Sequence, residues 1–107
     1  MRGLTEGEIR TLQQSGCSAS DWASVLVAEG FAAQYVSNVS FFGTVKLGRN
    51  DGEMEVASGF TKHCGIHNAT LRNVTIGDNC LIENVFGYIN NYYIGNSCFI
   101  SNVHSIE

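Results

Sequence analysis

Apolar and polar positions change their rhythm near residue 36. Before it, apolar residues recur at helical spacing: Leu4, Ile9 and Leu12, then Trp22, Val25 and Leu26 at i, i+3 and i+4. Start and stop signals frame two short helices. Thr5 with Glu8 makes a capping box, Leu4 can staple onto Ile9, and Gly16 offers a left-handed stop. Ser18 with Asp21 repeats the box, Cys17 can staple onto Trp22, and Gly30 closes the segment. Each helix has one apolar face and needs a partner to lie against. From Val36 the period is two. Val39, Phe41, Gly43, Val45 and Leu47 alternate with Ser40, Phe42, Thr44 and Lys46, which predicts strand. Residues 49–55 read as a polar turn or small excursion.

The sequence then repeats. Residues 60–69, 76–85 and 94–103 align without gaps, with starts 16 and then 18 residues apart. Four columns match three times: Phe60/Ile76/Ile94, Cys64/Cys80/Cys98, Ile66/Ile82/Ile100 and Asn68/Asn84/Asn102. A repeat of about 18 residues is too short for helix-pair arrays or propeller blades and suits one coil of a β-helix. Successive coils would stack about 4.8 Å apart, so that equivalent residues form ladders. The Ile columns then point inward. The Cys column supplies small, weakly polar side chains to the interior, and the Asn column sits at bends, where Asn tolerates positive φ.

A shorter period lies inside the coil. Ile76, Ile82, Ile94, Ile100 and Ile106 are spaced by six or twelve, and Gly77 and Gly95 follow the first and third of them. The hexads Ile76-Gly77-Asp78-Asn79-Cys80-Leu81 and Ile94-Gly95-Asn96-Ser97-Cys98-Phe99 resemble those of the hexapeptide-repeat transferases, the UDP-N-acetylglucosamine acyltransferase-like superfamily. The resemblance implies a mainly β fold, a left-handed parallel β-helix of about four coils with a short N-terminal helical cap. Its hand comes from the resemblance, because crossover rules alone favour the right-handed form. More narrowly, Leu26-Val27-Ala28-Glu29-Gly30 and the run from Asn73 to Asn79 look like a bacterial family of long hexapeptide proteins labelled pyrophosphorylase-related. The likeness covers nearly the whole chain and only the beginning of such a protein. The expected organisation is a helical cap over residues 1–35 and a hexapeptide β-helix over residues 36–107. Phe86, where the hexad prefers a small residue, and the bulky stretch from Tyr88 to Tyr93 depart from the pattern.

Composition narrows the partners. Charged residues are only 15% of the chain and its net charge is −4, without a Lys/Arg cluster. Nothing supplies the positive footprint that nucleic acid requires. No apolar run approaches membrane-spanning length and the first residues lack a signal-peptide core, so the expectation is a cytoplasmic protein with no membrane partner and with four reduced cysteines.

The resemblance implies acyl transfer to a sugar or nucleotide-sugar at a subunit cleft, with acyl-CoA as donor and a histidine as general base. This stretch alone is expected to be inactive. The alternative is a non-catalytic scaffold or oligomerisation module of a longer β-helix protein. His67 is the candidate base, with Glu83 on the same ladder and one coil away; an exposed polar ladder is the plainer reading. No motif transfers a catalytic position. His63 aligns with Asn79 and Ser97, and His104 with Phe86, so the three histidines sit on different ladders and no metal site is expected. Cys64, Cys80 and Cys98 lack zinc spacing and read as core thiols. Phosphate-binding glycine loops are absent, so no cofactor is expected within the chain. Tyr88, Tyr92, Tyr93, Phe86 and Phe99 either stack against a sugar or nucleotide or fill core and subunit contacts. A homo-oligomer is expected, either a side-by-side trimer as in the superfamily or an end-to-end dimer that covers the open last coil.

Overall fold

Thr5 starts the only α-helix among the described residues. Its hydroxyl accepts from the Glu8 amide at 3.1 Å, and the Glu8 carboxylate accepts from the Thr5 amide at 2.9 Å. This helix, α1 (Glu6–Gln14), buries Leu12 and ends near Gly16, which takes a φ of 84°. The computed structural model describes residues 1–106, and outside α1 it is mainly β. β1 (Arg2–Gly3) and β2 (Ser18–Ala19) are short, and β3 (Val25–Val27) leads to the long β4 (Val36–Leu47). β5 (Glu53–Ala57) and β6 (Phe60–His63) form a hairpin before the second long strand, β7 (Gly65–Ile76). Short strands follow: β8 (Leu81–Glu83), β9 (Ile89–Asn90), β10 (Tyr93–Ile94) and β11 (Phe99–Ser101). No described helix is long and apolar enough to cross a membrane.

The second helix expected between Ser18 and Gly30 does not form. Asp21 caps only a 3₁₀ turn over Trp22–Ser24, accepting from the Ala23 amide at 3.0 Å. Beyond it, Val25 and Val27 are buried while Leu26 between them is half-buried, a period of two. Two β-branched residues in three resist a helix, and pairing in parallel with Val45, Lys46 and Leu47 satisfies their backbone instead. Residues 1–35 therefore contribute strands to the sheet as well as one helix. Trp22 packs on Phe41, with ring centroids 6.0 Å apart.

The main sheet is mixed: β1 runs antiparallel to β3, while the other pairings in it are parallel. Those parallel pairings fall into three ladders. Val36, Ile66, Ile82 and Ile100 share one register; Phe41, Leu71 and Ile89 share a second, with Ile106 bridged to Ile89; Val27, Leu47, Ile76 and Ile94 share the third. Side chains of all three ladders meet in one apolar core. Successive side chains in a strand face opposite ways, so the residue after each of these ladder positions points outward.

Leu47, rather than Phe60, stands in the column with Ile76 and Ile94. Phe60 lies in the β5–β6 hairpin and is 56% exposed, which corrects the sequence alignment at that column. The supposed turn at residues 49–55 contains the start of that hairpin. Its insertion stretches the spacing from Val36 to Ile66 to 30 residues, against 16 and 18 for the next two steps of the ladder. Bends are made by residues with positive φ: Asn38, Asn68, Asn73, Asn79, Asn84, Asn91 and Asn102, together with Ser97, lie between 51° and 59°. Asn reaches this region at less cost than other side chains, because it bonds locally.

Candidate functional site

The outward residues beside the Val36–Ile66–Ile82–Ile100 ladder are Ser37, His67, Glu83 and Ser101, in register on neighbouring strands. The Ser37 hydroxyl and His67 Nδ1 are 2.8 Å apart. Glu83 accepts from Lys62 Nζ at 3.1 and 3.3 Å, so the hairpin lends a cation to the ladder. Among the described residues no hydrogen bond joins His67 to Glu83. Burial lowers the His67 pKa below its usual 6.5; the Glu83 charge opposes that shift and the Lys62 charge adds to it. At neutral pH the imidazole is therefore uncharged and able to accept a proton. What it lacks is an orienting carboxylate within hydrogen-bond reach, the arrangement a nucleophile–base–orienter chain requires.

One residue further along each strand, the asparagines form a continuous ladder. Asn38 Nδ2 donates to Asn68 Oδ1 at 3.1 Å, Asn68 Nδ2 to Asn84 Oδ1 at 2.9 Å, and Asn84 Nδ2 to Asn102 Oδ1 at 3.2 Å. Asn68 and Asn84 each donate to the next asparagine and accept from the one before. Just before the two long strands, half-buried Tyr35 stacks on His63 with centroids 3.4 Å apart and planes 11° from parallel. Gly65 is required nearby, since a Cβ there would run into the Tyr35 carbonyl.

The cysteines follow the same stacking. Cys64 and Cys80 are buried and Cys98 is partly so; all three are free thiols. The Gly65 amide donates to the Cys80 carbonyl and the Leu81 amide to the Cys98 carbonyl, at 3.1 and 2.9 Å. Burial raises the Cys64 and Cys80 pKa values above the usual 9.0, which keeps them as thiols rather than nucleophilic thiolates. Among the described residues no three His, Cys, Asp or Glu side chains gather where they could hold a metal ion. His104 lies on the far corner, where its carbonyl accepts from the Gly87 amide.

Sequence reasoning missed Ser37, Asn38 and Lys62. Val36-Ser37-Asn38-Val39 has the same form as Ile82-Glu83-Asn84-Val85 and Ile100-Ser101-Asn102-Val103, a signal hidden by the unequal spacing that the hairpin creates. Lys62 has no such signature, because its meeting with Glu83 depends on how the hairpin folds back.

Over residues 1–107 the chain matches a domain of unknown function, DUF4954. It belongs to the DUF4954 family. A Treponema pallidum (strain Nichols) protein, described as an uncharacterized protein, is 37% identical over 93 residues. The match takes in 87% of this DUF4954 chain and 13% of the Treponema protein, so the chain spans a small part of that relative's length. No solved structure matches it.

Proposed function

We propose that this DUF4954 chain forms coils of a left-handed parallel β-helix of the hexapeptide-repeat kind, and that it works as a non-catalytic scaffold and assembly module within a longer protein. The observation that carries this reading is the four-membered asparagine ladder: its amides bond along the stack to one another, as they do in a structural spine. The three parallel registers, with steps of 16 to 18 residues once the hairpin is passed, suit coils of that size. The left hand follows from the likeness of the Ile76 and Ile94 hexads to the superfamily. β11 pairs with β8 on one edge only among the described residues, and Phe99 on it is 44% exposed. Such an edge recruits a further strand, so the proposed partner is another copy or a further coil. Four free thiols suit the reducing cytoplasm.

Acyl transfer from acyl-CoA to a sugar or nucleotide-sugar is the second reading. It draws on the neutral imidazole of His67, held by Ser37. Engagement of Glu83 by Lys62 weighs against it.

One preparation tests both. Purified chain incubated with acetyl-CoA and amino-sugar acceptors should release no thiol above the protein-free control, while light scattering should show an oligomer. Turnover that disappears in His67→Gln would replace the scaffold with the enzyme. A monodisperse 11.6 kDa species at micromolar concentration would refute self-assembly.

A further inference from the structure

We infer that a second outward face, separate from the His67 ladder, binds a monosaccharide carrying one anionic group, a carboxylate or a phosphate. Along the Phe41–Leu71–Ile89 register, the next residues outward are Phe42, Arg72 and Asn90. With Ser20, Thr70 and Tyr88 they line a cleft of about 640 Å³. Small-molecule sites usually measure roughly 300–1,000 Å³. None of the cleft's lining residues belongs to the Ser37–His67–Glu83–Ser101 ladder.

The lining selects the ligand. Arg72 is exposed and its guanidinium makes no hydrogen bond or ion pair among the described residues, whereas the side chains of Arg2, Arg49 and Lys62 are paired with Glu8, Asp51 and Glu83. No carboxylate lines the cleft, so the guanidinium fork is open to a planar or tetrahedral anion. Phe42 and Tyr88 lie two levels apart, with Thr70 and Arg72 on the level between them, and are 42% and 41% exposed. Aromatic rings presented in this way cover the apolar face of a sugar ring. Ser20 and Thr70 add hydroxyls that both donate and accept.

Asn90 supplies the independent sign of a missing partner. Its Oδ1 is buried without a hydrogen-bond partner, a state that native structures seldom leave unanswered. Turning the amide exchanges its oxygen and nitrogen, so either end can meet a sugar hydroxyl. A single cation suits one anionic group. A nucleotide diphosphate would call for more positive charge or a glycine-rich cradle of amides, and the lining has neither.

The test is an NMR titration of the isotopically labelled chain with glucuronate, glucose 6-phosphate, glucose and inorganic phosphate, beside Arg72→Gln. The two anionic sugars separate a carboxylate ligand from a phosphate one. At least one of them should move the Thr70, Arg72 and Asn90 amides while leaving His67 in place. Glucose, inorganic phosphate and the Arg72→Gln chain should each bind about tenfold more weakly than that pairing. Arg72→Gln should melt with wild type, since the Arg72 side chain bonds to nothing within the described chain; should it not fold, Arg72→Lys, which keeps the charge and loses the fork, should show a smaller loss of affinity. The site is refuted if neither anionic sugar shifts the cleft at about 10 mM, if Arg72→Gln binds as wild type does, or if the shifts centre on His67. Inorganic phosphate binding as tightly as glucose 6-phosphate would refute sugar recognition. All these readouts are independent of the chain's oligomeric state.

Discussion

Asn84 joins two physical effects that substitution can separate. Its side chain accepts from Asn68 at 2.9 Å and donates to Asn102 at 3.2 Å, and its backbone sits at a φ of 56°. Asn84→Gly removes both bonds and leaves the backbone content. The bonds are exposed to solvent, so each contributes at the low end of the usual range, about 0.5 kcal/mol. Greater freedom of glycine in the unfolded chain adds about another 0.5 kcal/mol. Asn84→Ala loses the same two bonds and also forces a Cβ into the left-handed region, at about 1–2 kcal/mol. The expected order is wild type, then Gly about 1.5 kcal/mol below it, then Ala about 2–3 kcal/mol below it. For a domain of this size the Gly-to-Ala gap of about 1 kcal/mol corresponds to a melting difference of roughly 4–8 °C. Urea unfolding followed by far-ultraviolet circular dichroism gives the free energies directly, provided the m-values agree. If the Ala chain is as stable as the Gly chain, the positive φ is not the constraint that selects Asn at this bend. If the Gly chain matches wild type, the side-chain ladder contributes nothing.

Two further outcomes follow from other parts of the molecule. Ile82 is fully buried in the first ladder, so Ile82→Asp should abolish the cooperative melt, while Ile82→Val should cost only about 0.5–1.5 kcal/mol; a folded Ile82→Asp chain would overturn its inward assignment. Because burial lowers the His67 pKa, the unfolded chain takes up this proton first as the pH drops below 6.5, and stability declines until the folded-state value is passed. Urea midpoints compared at about pH 7.5 and about pH 5.5 should therefore differ less in His67→Gln than in wild type, and equal differences would show that His67 is not desolvated.

Much of this arrangement is local chemistry repeated, and such chemistry is legible in a linear chain. Ile66, Ile82 and Ile100 announce their column because each is followed two residues later by an Asn that bends the backbone, and the structure sets all three in one register. The capping box at Thr5 is likewise complete within four residues, and α1 begins at the next position. Residues 18–30 misled because cap signals and i, i+3, i+4 spacing over so short a stretch cannot outweigh a waiting strand edge. Val25 and Val27 became strand when β4 offered its hydrogen bonds.

The sequence by itself determined the mainly β character, the spacing of the repeat and the residue types at core and bend. Each of these depends on a period or a backbone preference that a few neighbouring residues express on their own. Only the tertiary structure decided what stands next to what on paired strands. The β5–β6 hairpin interrupts the repeat, puts Leu47 rather than Phe60 above Ile76, and swings Lys62 onto Glu83, so that the carboxylate expected to serve His67 is held elsewhere. Arg72, Phe42 and Tyr88 come from three stretches of sequence and share a cleft because parallel pairing stacks them on one face. Register between paired strands depends on the length of everything inserted between them, and no single repeat records that length.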